Sequence, residues 1–202
     1  MQEISLDVLK DPFKFELIMI PCSCYQKKNG EVAVMPNSFL DELIKKAPTL
    51  RTEIGKAVER YGNCPAVLSA IPGSPIPTKF CTFPISPSNL RAEDPDDYVF
   101  HRLKGKFKKY SLLPGWTLLP RIDMVEFSAI KLREIIKYFR LTKIVLQYES
   151  FTLDKEDKMH YTKIQNIMQR YLQESFYVAH MPKENIEVKN QVTATSSVTF
   201  EE

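Results

Sequence analysis

The chain has 202 residues and a net charge of +3, with 44% hydrophobic and 26% charged residues. This length predicts one domain with a sizeable core. So small a net charge does not by itself indicate a nucleic-acid-binding protein. The four cysteines include no C-x-x-C pair, which predicts reduced thiols and no metal site. A signal-peptide pattern and a membrane-length apolar run are both missing, so we expect a cytoplasmic protein.

Hydrophobic periodicity predicts strands and helices that alternate along the chain. Strands are predicted at 15–21, 66–71, 79–85, 143–148 and 176–181. Helices are predicted from Ser38 to near Pro48, and at 50–61, 122–140 and 161–173. Polar loops are predicted at 22–30 and 149–160. This alternation predicts an α/β fold with a mostly parallel sheet and helices on both faces.

The segment 98–110, YVFHRLKGKFKKY, is ambiguous. As a strand it would place four cations on one face, where they could follow a phosphate backbone beside aromatic rings. The alternative is a solvated strand face, which the carboxylates of 93–97 favour because they cancel much of the positive field. The four cations are Arg102, Lys104, Lys106 and Lys108.

Two predicted strands, 15–21 and 143–148, end in loops that precede helices. In a parallel sheet both loops would open at the carboxyl edge, where ligands bind. They could clamp an extended phosphate-bearing ligand, or they could be two ordinary connections. Catalysis by Cys22 or Cys24 with a histidine is less favoured, because the three histidines carry no recognisable local signature.

Several strings resemble the macro domain, the ADP-ribose-binding module, over roughly residues 4–180. The strings are LDVL at 6–9, VMPNSFLDELIKKAPTL at 34–50, IGKAVERYGN at 54–63, TFPIS at 82–86, LPGW at 113–116 and LQESFYVAH at 172–180. The resemblance implies a three-layer α/β/α macro-like domain at 1–182. Residues 183–202 would then form a C-terminal extension, either an edge strand or a flexible tail.

The resemblance also implies a ligand site. Asp7 would hold an adenine-like ring, and the backbone at 34–38 and 150–152 would face phosphates. The predicted ligand-binding residues are Asp7, Cys22, Ser23, Val34, Met35, Asn37, Ser38, Ser150, Phe151 and Thr152.

This sequence departs from the family pattern at its ligand-binding strings. Pro36-Asn37-Ser38 and residues 149–152 replace glycine loops, and Ser86 stands where some relatives have a catalytic lysine. Side chains at glycine positions block the close approach of backbone amides to a diphosphate. We therefore predict a non-catalytic module that binds ADP-ribose or a related nucleotide and has no cofactor. The alternative is an interaction protein with a vestigial cleft, which binds a protein or nucleic acid through 98–110. An ADP-ribosyl hydrolase is a weaker third interpretation.

Overall fold

The computed structural model of the chain describes residues 2–5, 15–34, 43–45, 47–68, 78–147, 158–172 and 176–180. The strands are β1 (Gln2–Ser5), β2 (Leu17–Gln26), β3 (Val32–Val34), β4 (Lys79–Ser86), β5 (Asn89–Arg91), β6 (Leu112–Pro114), β7 (Ile144–Gln147) and β8 (Phe176–His180). The helices are α1 (Leu50–Tyr61), α2 (Ile122–Phe139) and α3 (Lys158–Tyr171). Single 3-10 turns lie at Pro95–Asp97, His101–Leu103 and Gly115–Thr117.

Six strands form the main sheet in the order β1-β8-β7-β2, with β3 and β4 also paired to β2. All pairs are parallel except β2 with β3. The strand β2 is the hub, because it pairs with β4 over its first seven residues and with β7 over its first three. The predicted mostly parallel sheet is confirmed.

Alternation along β2 buries both of its faces. Ile18, Cys22 and Cys24 lie in one apolar cluster, which α1 covers with Leu50 and Ile54. Leu17 and Met19 of β2 face the opposite cluster. That second cluster is built from Leu17, Met19, Val125, Leu132, Ile164 and Met168, which brings in α2 and α3. Each fully buried side chain of this size contributes about 1.5–3 kcal/mol of transfer free energy. The result is the predicted three-layer α/β/α arrangement.

The helices predicted at 50–61, 122–140 and 161–173 are close to the observed bounds. Of the helix predicted from Ser38 to near Pro48, residues 43–45 are helical, and residues 38–42 and 46 lie outside the described residues. Helix α1 ends at Gly62, whose φ of 60° suits a residue without a Cβ. Helix α2 ends at Arg140, which caps it in the left-handed conformation. The loop predicted at 149–160 is wrong at its last three residues, because α3 begins at Lys158. A tertiary contact between the His160 ring and the Pro120 carbonyl helps to fix that first turn.

Strand β2 does not end at Pro21, and the polar loop predicted at 22–30 is wrong over its first half. The strand continues to Gln26, turns through Asn29-Gly30 and returns as β3. The turn is closed by hydrogen bonds from the Lys27 amide to the Glu31 carbonyl and from the Gly30 amide to Lys27. Cross-strand pairing therefore orders residues that composition alone assigns to a loop.

The strand predicted at 66–71 is wrong within its described part. Val67 makes only an isolated bridge to Cys81, flanked by hydrogen bonds of Ala66 and Leu68 to β4. Residues 69–71 lie outside the described ranges. None of the described helices is long and apolar enough to cross a bilayer.

The strand interpretation of 98–110 is also wrong. This segment is a succession of tight turns, in which Gly105 has a φ of 76° and donates its amide to the Asp96 carboxylate at 2.7 Å. It belongs to a lobe, residues 87–121, that is inserted between β4 and α2. The lobe contains the two-stranded β5–β6 sheet and a small apolar cluster of its own, formed by Ala92, Val99, Leu113 and Leu118.

Candidate functional site

The strand order predicts a crevice at the carboxyl ends of β2 and β7. Among the parallel strands, the chain passes from β2 to β4 on one side and then crosses back to β7 on the other side. Ligands of open α/β sheets bind at such a reversal, because the two connections leave the sheet edge in opposite directions. Of the two loops predicted from the sequence, the one after β2 is instead a hairpin turn that leads into β3, and residues 148–157 after β7 lie outside the described residues.

Strand β3 borders this crevice. Because β4 occupies one edge of β2 as far as Ser23, β3 must pair on the same edge as β7. Pairing with β7 is last seen at Met19–Leu146, and pairing with β3 includes Cys22–Val34. Cys22 lies three residues beyond Met19 on β2, which is about 10 Å along the strand. The described ends of β3 and β7 therefore approach each other along one strand edge, with a short gap between them.

The gap faces residues 21–23 of β2, whose side chains offer a ligand few hydrogen-bonding groups. Cys22 and Ser23 are buried at 0% and 4% exposure. The Ser23 hydroxyl accepts a hydrogen bond from the Tyr25 amide at 3.4 Å. Pro21 has no N–H to donate. A ligand in the crevice would therefore meet the backbone of this stretch of β2.

Burial keeps the nearby thiols protonated. It raises the pKa of Cys22 far above its ordinary range and that of Cys24 to about 11. Desolvation is the main cause for both, because a thiolate loses its hydration in an apolar cluster. The Cys24 thiol also points to the Gly62 carbonyl, 3.7 Å away. These groups are core residues that lack the thiolate character of a nucleophile.

Of the other predicted ligand-binding residues, only Val34 lies in the described part of the chain, as the last residue of β3. The remainder lie outside the described residues and stay predictions. They are Asp7, Met35, Asn37, Ser38, Ser150, Phe151 and Thr152.

The root of the lobe lies beside the crevice. The Ser86 hydroxyl, at the end of β4, donates to the Gly115 carbonyl at 2.9 Å, and the Gly115 amide donates to Ser88 at 2.8 Å. A Cβ at Gly115 would lie 1.9 Å from the Pro87 carbonyl oxygen, so only glycine fits. These contacts hold the Gly115–Thr117 turn against β2.

Trp116 is carried by that turn and is 45% exposed. An exposed indole beside the carboxyl edge of a sheet offers a face for a nucleobase. The predicted site residues did not include it. The available signal was that it is the only tryptophan of the chain and follows Pro114-Gly115, a turn pair.

A separate cavity of about 240 Å³ lies where the lobe meets the first turns of α2 and α3. Arg121 and Asp123 lie on its wall and form a two-pronged ion pair at 2.7–2.9 Å. Hydrogen bonding to Arg121 is the main cause that lowers the pKa of Asp123. The pair neutralises itself, so this cavity has no net attraction for a phosphate. The described residues contain no cluster of three or more metal-binding side chains.

No family model and no curated protein matches the chain. Solved structures do match it. The macrodomain of Thermus aquaticus DarG is 16% identical, with coverage of 90% of this chain and 97% of that one and a TM-score of 0.54. The chain has the macrodomain fold.

Two further structures agree with this assignment. The macrodomain of Mycobacterium tuberculosis DarG is 15% identical, with coverage of 88% and 95% and a TM-score of 0.50. A protein of unknown function from Bacteroides thetaiotaomicron is 12% identical, with coverage of 90% and 97% and a TM-score of 0.53. The fold implied by the sequence strings is thus confirmed.

Proposed function

We propose that this macrodomain-fold protein is a non-catalytic module that binds ADP-ribose or a related nucleotide. The supporting observation is the reversal of strand order between β2 and β7, with the gap between the ends of β3 and β7 at its carboxyl edge. A ligand with a central diphosphate suits this place, because ligands of open α/β sheets bind at the carboxyl ends of the strands and helix N-termini there favour anions.

The two ends of the ligand would be held by different groups. Asp7 would accept a hydrogen bond from the amino group of an adenine-like ring, and Trp116 would offer a stacking face on the side of the lobe. The diphosphate would lie along the backbone at 34–38 and 150–152. Hydroxyls of Ser38 and Thr152 would donate where the family uses glycine amides.

Two observations favour binding without catalysis. The crevice thiols have raised pKa values and stay neutral, so they are weak nucleophiles. At the position where the resemblance places a catalytic lysine, Ser86 is buried and its hydroxyl ties the lobe to β4. In this chain that position serves structure.

Isothermal titration calorimetry with ADP-ribose tests the proposal. We expect a saturable one-to-one isotherm with a Kd below about 1 mM. Asp7→Asn should weaken binding about tenfold, which corresponds to about 1.4 kcal/mol. Glu59→Gln is the control, because Glu59 is exposed on α1, and it should bind as the unaltered protein does.

The outcomes separate binding from catalysis. An unaltered protein that gives no saturable heat up to about 1 mM ADP-ribose would remove nucleotide binding from the account. Release of free ADP-ribose from an ADP-ribosylated substrate, followed by chromatography, would instead show that the protein is catalytic.

A further inference from the structure

The lobe separates its charges into two arms. The basic arm, residues 101–109 with the sequence HRLKGKFKK, carries five lysine or arginine side chains and no carboxylate. The acidic arm, residues 93–97 with the sequence EDPDD, carries four carboxylates and no cation. All five cations are exposed.

Most charged side chains of the two arms form no ion pair with the other arm. A single ion pair joins them within the described structure, from Lys109 Nζ to the Glu93 carboxylate at 3.2 Å. Lys104, Lys106 and Lys108 form no ion pair with any described residue. Folding therefore leaves an unneutralised cationic surface beside an anionic one.

The acidic arm lines an open basin of about 650 Å³. Tyr98 and two residues of the basic arm, Phe107 and Lys109, complete its lining, so the basin offers four carboxylates, one cation and two aromatic rings. Lysine and arginine side chains match this environment, because their stems are apolar and their heads are charged. The basin is large enough for more than one such side chain.

Both arms are held in place before any partner arrives. The Asp94 carboxylate accepts the Asp96 amide at 3.2 Å, and the Asp96 carboxylate accepts the Gly105 amide at 2.7 Å, which links one arm to the other. Val99 and Phe100 anchor the segment between the arms, since both are fully buried. A preorganised surface loses less conformational entropy on binding.

The same lobe exposes large apolar side chains. Tyr98, Tyr110, Leu112 and Trp116 are between 42% and 56% exposed. Tyr110 has a φ of 62°, which is unusual for a bulky side chain, and its hydroxyl is held by Glu93 at 3.2 Å. Exposed tyrosine and tryptophan side chains are the groups that most often dominate protein interfaces.

We propose that the lobe is a self-association surface, on which the basic arm of one copy enters the acidic basin of a second copy. A two-fold axis would make each contact twice, because every chain carries both arms. Charge complementarity favours a second copy of the chain as the partner, because it can pair with the basic arm and the acidic arm at the same time. A polyanion could satisfy the basic arm only while lying beside four carboxylates that repel it.

Sedimentation velocity of the full chain at low and high salt is the first test. We expect a monomer–dimer equilibrium at low ionic strength that shifts to monomer in about 0.5 M salt, because exposed charge pairs are screened. A protein that stays monomeric at low salt overturns the proposal. So does a monomer that binds a single-stranded oligonucleotide through the basic arm.

A charge-swap experiment identifies the surface. The acidic double variant, Lys104→Glu with Lys108→Glu, leaves three cations and two carboxylates in the basic arm, and Glu93→Lys with Asp97→Lys leaves two cations and two carboxylates in the acidic arm. Each double variant alone should lose dimerisation by about tenfold or more, because neither of its two contacts then joins an intact basic arm to an intact acidic arm. An equimolar mixture should form a heterodimer, because the intact basic arm of one variant meets the intact acidic arm of the other at one of the two contacts.

The matched control is Arg133→Glu with Lys137→Glu, two exposed cations of α2, which changes the net charge by the same amount as the acidic double variant. It should dimerise as the unaltered chain does. A control that loses dimerisation equally, or a mixture of folded variants that stays monomeric, overturns the proposal.

Discussion

The β2–β3 hairpin and the lobe both follow the carboxyl ends of parallel strands, β2 and β4, and they are built in opposite ways. The hairpin extends the main sheet, and its β2 residues enter the principal apolar cluster. The lobe forms a second sheet over a small cluster and carries nine charged side chains on its two arms. The hairpin is therefore suited to shaping a crevice, and the lobe is suited to meeting a partner.

Close backbone contact through a glycine fixes each region. A Cβ at Gly55 of α1 would lie 1.9 Å from the Gly30 carbonyl in the hairpin turn, and Gln26 donates to the Gly55 carbonyl at 2.7 Å. Gly115 has the same role at the lobe, as described above. Two regions of different character thus depend on the same steric device.

The largest expected effect separates the sheet core from the core of the lobe. Phe83 of β4 is fully buried in the apolar cluster that α2 and α3 cover, so Phe83→Ala should lower the free energy of unfolding by about 3–5 kcal/mol. Leu113→Ala, in the smaller cluster of the lobe, should cost about 2 kcal/mol and unfold the lobe first. Urea unfolding followed by circular dichroism and by Trp116 fluorescence measures both. Equal, fully cooperative losses would show that the lobe is not a separate unit.

The two glycine contacts come next in size. Gly55→Ala and Gly115→Ala should each destabilise the protein by about 1–3 kcal/mol, because the new methyl group meets a backbone oxygen. Without that clash, Gly55→Ala in a helix would instead stabilise by about 1 kcal/mol. Glu59→Ala on the same helix is the control and should stay within about 0.5 kcal/mol. A stabilising Gly55→Ala would mean that α1 does not rest on the hairpin turn.

The buried thiols give a prediction for the hairpin alone. Cys24 has a pKa raised from its ordinary 9.0 to about 11, so the unfolded thiol ionises first and stability falls as pH rises through this window. Cys64 is exposed. A thiol-reactive dye at neutral pH should therefore label one cysteine rapidly, and Cys64→Ser should abolish the fast phase. A fast phase that survives this substitution would mean that a thiol of β2 or β4 is accessible.

The smallest effect concerns the opposite, amino end of β2. The Glu16 carboxylate accepts the Thr142 amide at 2.6 Å and the Lys143 amide at 2.9 Å, and these bonds lower its pKa below 4.5. Its stabilisation is present above that pH and is lost as the carboxylate is protonated at lower pH. Glu16→Gln should lower the melting temperature slightly at pH 7 and have less effect at pH 3. An effect that is equal at both pH values would contradict this assignment.

The regular elements were predictable from the sequence because their signals are local. The bounds of α1 follow from its apolar spacing and the Gly62 stop, and β4 and β7 follow from short apolar runs. The second half of β2 was not predictable in this way. Its polar residues are ordered by pairing with β3, which is a property of two segments together.

The lobe shows the same limit more strongly. The alternating cations at 102–108 are compatible with a strand, yet Gly105 and the Asp96 carboxylate fold the segment into turns. The predicted site was only partly accessible to sequence reasoning as well. Trp116 is a candidate because the contacts of Ser86 and Gly115 hold its turn in place, and a local sequence pattern does not contain such contacts.

Amide chemical shifts during a titration with ADP-ribose test the central claim most directly. We predict saturable shifts at the carboxyl half of β2, Cys22–Gln26, and in β3, with little change in the basic arm of the lobe. Shifts confined to residues 101–109, or no saturable shift anywhere up to about 1 mM ligand, would contradict nucleotide binding in the crevice.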